Sequence, residues 1–174
     1  MTMNTIKIID YRPQHQLFFE ILNRAWIEKH FAMEELDRYV LQQPEEAILK
    51  PGGAILMATF DGVIAGTVAL KKLNDYEYEL AKMAVDENYR RRGIAEKLCQ
   101  ATIEKAKNFG AKKLILYSQT ILEPALALYR KLGFVQVALG KPAHNRSDVK
   151  MEMVFDQPEL LQATHHDQNI TNLT

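Results

Sequence analysis

Arg90, Arg91 and Arg92 stand directly before Gly93 and Ala95 in "YRRRGIAEKL", where an amphipathic run begins. The first turn of a helix leaves backbone N–H groups without partners inside the helix, and the helix dipole adds partial positive charge there. A phosphate accepts several of these N–H groups when no side chain blocks its approach. A glycine and a small alanine keep that approach open, and flanking arginines add charge at the rim. Spacing alone leaves two readings side by side, a phosphate cradle and a solvated arginine run. A nucleotide P-loop is excluded, because no Gly-Lys-Ser/Thr is present, and the dinucleotide glycine pattern is absent as well.

The charge balance argues against a nucleic-acid surface. Lysine plus arginine and aspartate plus glutamate number 22 each, for a net charge of +0, whereas nucleic-acid binders usually carry an excess of positive charge. With 174 residues, 47% of them hydrophobic, the chain can bury a substantial core in one domain. That domain is expected over residues 1–156, with a polar tail over 157–174. Cys99 is the single cysteine, so no intramolecular disulfide forms, which fits a reducing compartment. "MTMNTIKIIDYRPQ" lacks the apolar core of a signal peptide and no segment has the length of a membrane span. A cytoplasmic location is therefore expected, with neither nucleic acid nor membrane as partner. His165 and His166 lack further ligands at useful spacing, so no metal site is expected.

The elements that must position the arginine segment follow from periodicity and punctuation. "TIKIIDY" predicts a strand. From Gln14 to His30, Leu17, Phe18, Ile21, Leu22, Ala25 and Trp26 recur at helical spacing. A second helical stretch runs from Met33 to Gln42, stopped by Pro44. "KPGGAILMATFDGVIAGTVALKKL" predicts two strands joined at Asp61-Gly62, and "YEYELAKMAV" a third. A helix from Gly93 to Phe109 follows, with Ile94, Ala95, Leu98, Cys99, Thr102, Ala106 and Phe109 on its apolar stripe and Gly110 at its C-terminal cap. "KLILYS" predicts a strand, Pro124 opens a helix capped by Gly133, and "FVQVALG" and "DVKMEMVF" close the pattern. The order implies an α+β fold with a mixed, mostly antiparallel sheet and about four helices.

"MAVDENYRRRGIAEKL" resembles the coenzyme A signature of the GNAT family of N-acetyltransferases, Arg/Gln-x-x-Gly-x-Gly/Ala, with Arg90, Gly93 and Ala95 in those places. "LILYSQTILEPALALYRKLGFVQV" is similar to the family's second half, and the order of elements agrees across roughly residues 5–155. The resemblance implies a GNAT-like fold and transfer of an acetyl group from acetyl-coenzyme A, as co-substrate, to a primary amine of a small molecule or peptide. It implies that Arg90, Arg91, Arg92, Gly93, Ile94, Ala95 and Glu96 cradle the pyrophosphate. It also implies that the strand segment Met83-Ala84-Val85 holds the acetyl and pantetheine portions, with the Met83 and Val85 N–H groups facing the thioester carbonyl.

On spacing alone Tyr129 reads as a core residue beside Ala125, Leu126 and Leu132; the resemblance makes it the general acid. Glu79 is the expected base, with Glu77, Glu34, Glu35 and Asp37 as rivals. Trp26, Phe31 and Glu35 are expected at the acceptor pocket. The asparagine that many relatives place before the last helix is missing, with Leu122 at its commonest position and Ser118, Gln119 and Thr120 as substitutes. A non-catalytic acyl-coenzyme A binding module is the alternative reading, and a homodimer is left open.

Overall fold

Asp61 and Gly62 both take left-handed backbone, with φ of 49° and 84°, as a two-residue hairpin turn requires. Strand β2 (Ala54–Phe60) accordingly folds back on β3 (Val63–Lys72). The computed structural model describes residues 4–142 and 144–155. Five further strands, β1 (Ile6–Asp10), β4 (Glu77–Val85), β5 (Lys113–Ser118), β6 (Val135–Val137) and β7 (Val149–Val154), complete one sheet of order β1-β2-β3-β4-β5-β7-β6. Neighbours are antiparallel except for β4 and β5, which run parallel. The mixed, mostly antiparallel sheet matches the expected fold class.

Helices cover both faces. On one side lie α1 (Gln16–His30) and α2 (Glu35–Gln42); on the other α3 (Ile94–Asn108) packs across the sheet, and α4 (Glu123–Leu132) joins β5 to β6. Strand β2 is buried along its whole length because its alternate residues serve two cores. Leu56, Ala58 and Phe60 join Leu98 and Ala106 of α3, whereas Ile55 and Met57 join Phe19, Ile27 and Leu41. None of the described helices is long and apolar enough to cross a membrane.

The structure corrects the expected face of α1. Leu17, Phe18 and Ile21 are 58%, 48% and 55% exposed, and the buried residues are Phe19, Asn23 and Ile27. Asn23 is satisfied inside, donating to the Phe19 carbonyl at 2.9 Å and accepting from Trp26 Nε1 at 3.1 Å. A buried polar residue with its bonds made is well tolerated, but it hides the stripe from a reading based on apolarity. Phe109 is likewise exposed, with Ile103 buried on α3 instead. Cys99 is a packing residue; burial, with Glu96 nearby, pushes its thiol up to about 12. The tail over 157–174, with His165 and His166, lies outside the described residues.

Candidate active site

Strands β4 and β5 pair only where Glu77–Glu79 meets Lys113–Ile115, and beyond that point they part. The bulge that accompanies this opening is visible in the ladder. Ala69 opposes Ala81 and Thr67 opposes Ala84, so Lys82 and Met83 together face the single residue Val68. Lys82 sits in left-handed backbone, φ 52°, a conformation that costs a non-glycine residue about 1–2 kcal/mol. A bulge reverses the side-chain alternation of a strand. Before it, Tyr78 and Leu80 point to the α3 core; after it, Met83 does, with its sulfur 3.3 Å from Cys99 Sγ. Lys82 itself is turned to the opposite face, toward α2.

The same segment frees backbone donors. The Asp86 N–H donates to the Ala65 carbonyl of β3 at 2.8 Å. By alternation the Ala84 N–H shares that side, and the Met83 and Val85 N–H groups point to the edge that β5 has left.

A cleft of about 750 Å³ fills this opening. Met83, Ala84, Val85, Arg90 and Arg91 line it, together with Tyr129, Glu79, Trp26 and Phe31. Tyr129 is 7% exposed and packs edge-to-face on Phe134, with ring centroids 5.9 Å apart. Burial pushes its hydroxyl far above the usual phenol range, so it stays protonated at every physiological pH. Glu79 is raised by burial too, against the pull of Lys71 and Lys82. Its rival Glu77 is engaged with Lys113 at 3.4 Å.

The three arginines diverge. Arg91 takes left-handed backbone and lines the cleft beside Arg90, which also lies 3.7 Å from Glu87. Arg92 lies instead over Phe60, 4.8 Å from the ring centroid, and does not line the cleft; aromatic stacking has captured its guanidinium. Gly93, φ 80°, is the N-cap of α3, and a Cβ added there would meet no atom within 4 Å. Open space therefore lies over the helix start, as the approach of a diphosphate requires. Ile94 is buried, which leaves its backbone alone as a contact, and Glu96 pairs with Lys131 at 3.0 Å. Ala95 is half-buried in the same first turn. Leu122 is the N-cap of α4 without a side-chain cap bond. Of the substitutes for the missing asparagine, Thr120 is committed to Asp148 at 2.8 Å, while Ser118 and Gln119 face the cleft.

At the other end of the cleft stands a charged cluster that the sequence concealed. Asp37 is fully buried and accepts from Lys82 Nζ at 2.6 Å and from both Arg146 terminal nitrogens at 2.8 Å. Burial opposes ionisation of Asp37, but the bonds from Arg146 and Lys82 outweigh it and hold the carboxyl well below the usual range. Glu34 accepts from Arg146 at 3.2 Å and lies 2.8 Å from His144 Nδ1, whose pKa burial lowers. Glu34, Asp37 and His144 are spaced as metal ligands would be, yet an ammonium and a guanidinium already fill that position. Glu35, expected at the acceptor pocket, is exposed and does not line the cleft. The helical turn that exposes it buries Asp37 instead. Nothing local in "PAHNRSD" marks Arg146 or His144, whose partners lie more than a hundred residues away.

Comparison with known proteins settles the family. A model of the acetyltransferase (GNAT) family matches residues 15–134. The chain belongs to the GNAT family. An uncharacterized N-acetyltransferase of Escherichia coli, YjgM, is 33% identical over 107 residues, 59% of this chain and 64% of that protein. An N-acetylaspartate synthetase of Xenopus tropicalis is 30% identical over 120 residues, 68% of this chain and 42% of that protein. The chain thus aligns with less than two thirds of either relative's length. YncA from Salmonella typhimurium, a structure with acetyl-CoA, superposes with a TM-score of 0.68 at 17% identity, covering 88% of this chain and 95% of that one.

Proposed function

We propose that this GNAT domain, spanning residues 1–156, transfers the acetyl group of acetyl-coenzyme A directly to a primary amine. The observation that carries the reading is the meeting of Tyr129, Glu79 and the open edge of β4 in one cleft. Glu79 takes a proton from the ammonium form of the acceptor and passes it to water. The amine nitrogen then bonds to the thioester carbon. Charge that develops on the carbonyl oxygen is met by the Met83 and Val85 N–H groups, preorganised donors of the kind that stabilise oxyanions. As the carbon–sulfur bond breaks, Tyr129 protonates the departing thiolate and is restored by the second proton that the nitrogen sheds. Tyr129 favours this reading over a non-catalytic binding module, which has no use for a protonated hydroxyl in the cleft.

Calorimetric titration with acetyl-coenzyme A tests the cradle. The N–H groups of the first turn of α3, with Arg90 and Arg91, would hold the pyrophosphate. Gly93→Glu places a carboxylate against it, and because like charges in contact cost several kcal/mol, affinity is expected to fall about 100-fold or more. Gly93→Asn, which tolerates left-handed backbone, separates that effect from misfolding. Binding to Gly93→Glu as tight as to the parent chain would remove the cradle from this site.

The pH–rate profile tests the base. Because burial raises Glu79, its proton is lost at higher pH than an ordinary carboxyl loses it, and turnover should rise with pH across that window. In Glu79→Gln that acidic limb should disappear, with a lower plateau. A variant that keeps the limb assigns the base elsewhere.

A further inference from the structure

We propose that the amine accepted by this enzyme also carries a carboxylate, as an amino acid does, and that Lys71 receives it while the amine faces Glu79. The inference rests on the acetyltransferase reading above and narrows its acceptor.

The charges on the acceptor end of the cleft wall are Lys71, Lys82 and Arg146 against the single carboxylate of Glu79. Lys82 and Arg146 both lean on Asp37, one buried carboxylate behind the wall serving two cations. Arg146 is further tied to Glu34 at 3.2 Å, which leaves Lys71 facing Glu79 alone on this wall. Lys71 is half-buried and makes no ion pair among the described residues. It stands directly across the β3–β4 ladder from Glu79, and residues opposed in this way project to the same face of the sheet.

An amine-attracting carboxylate and a carboxylate-attracting ammonium thus sit side by side, the complement of a zwitterion. A substrate ammonium taken by Glu79 leaves Lys71 without the carboxylate that faces it, and a carboxylate on the same substrate restores the balance. A diamine brings a second positive charge to the same place and is repelled. An amine that bears no other charged group engages Glu79 and leaves Lys71 unmatched. The Arg146 guanidinium lies beside the Trp26–Phe31 pair, 5.9 Å from each ring centroid. Its bonds to Glu34 and Asp37 also hold residues 144–147 at the wall of this end of the cleft, which favours a small acceptor over a long peptide.

The test is steady-state acetylation of the twenty L-amino acids, their α-amides and 1,4-diaminobutane, alongside calorimetric binding of acetyl-coenzyme A. At least one amino acid should exceed its own amide and the diamine in kcat/KM by about tenfold or more, the worth of one charge-assisted bond. Lys71→Ala should raise KM for that amino acid more than it lowers kcat, and shrink the acid-to-amide ratio by about the same factor. Lys71→Arg should restore part of it, which a merely structural role for Lys71 would not explain. An amide or the diamine preferred over every free acid, or a ratio untouched in Lys71→Ala, overturns the inference while the acetyltransferase reading stands. Failure of the parent chain to bind acetyl-coenzyme A removes both.

Discussion

Tyr129→Phe should lower kcat by about 10²- to 10⁴-fold, the range that a positioned general acid contributes, with little change in affinity for acetyl-coenzyme A. The substitution removes one hydroxyl and keeps the ring that packs on Phe134, so the fold should be preserved. The hydroxyl matters because its burial keeps it protonated, and a group that holds its proton until the thiolate departs is what the last step needs. Steady-state rates beside a calorimetric titration separate the two effects. Turnover equal to that of the parent chain would mean that water protonates the thiolate and that Tyr129 is only a packing residue.

The second large effect is on stability. Asp37→Asn is close to isosteric but removes the charge on which Lys82 and Arg146 both depend. Breaking a buried ion pair from one side costs about 3–5 kcal/mol. At about 2–4 °C per kcal/mol for a chain of this size, the melting temperature should fall by roughly 10 °C. The folded-state pKa of Asp37 lies below its unfolded value, so its stabilisation is complete at neutral pH and is lost as the pH falls through the folded value. The gap between parent and variant should therefore close only in strong acid, which thermal melts at several pH values would show. A variant that melts with the parent at pH 7 would mean that the cluster adds nothing to stability. Loss of the pair also releases Lys82, whose left-handed backbone forms the bulge, so acetyl transfer should suffer along with stability.

Asp37 shows why part of this site was illegible beforehand. On its own helix it is one acidic residue among several, and Glu35 looked equally suited to the acceptor pocket. The choice is made by Lys82, 45 residues away, and Arg146, 109 residues away. Lys82 in turn falls on the α3 side of the sheet if the strand alternates without interruption. Only the bulge turns it to α2, and no residue type in "ELAKMAV" announces a bulge. Arg92 is a third case, since its neighbours in sequence line the cleft while Phe60, on another strand, draws it away.

What the sequence determined by itself was whatever depends on short-range backbone preference. Asp61-Gly62 dictated the hairpin, Gly93 the start of α3, and Gly110 and Gly133 the helix ends, each with positive φ. Periodicity supplied most of the strands and helices, and the resemblance carried by Arg90, Gly93 and Ala95, not their spacing alone, pointed to the family. Tertiary structure decided which face of α1 is buried, which arginines reach the cleft and which carboxylate is buried behind its far end. Turn geometry and capping act within a few residues, so a chain carries them legibly. Burial of a charge is tolerable only when a distant partner arrives to match it, and that arrival is a property of the fold.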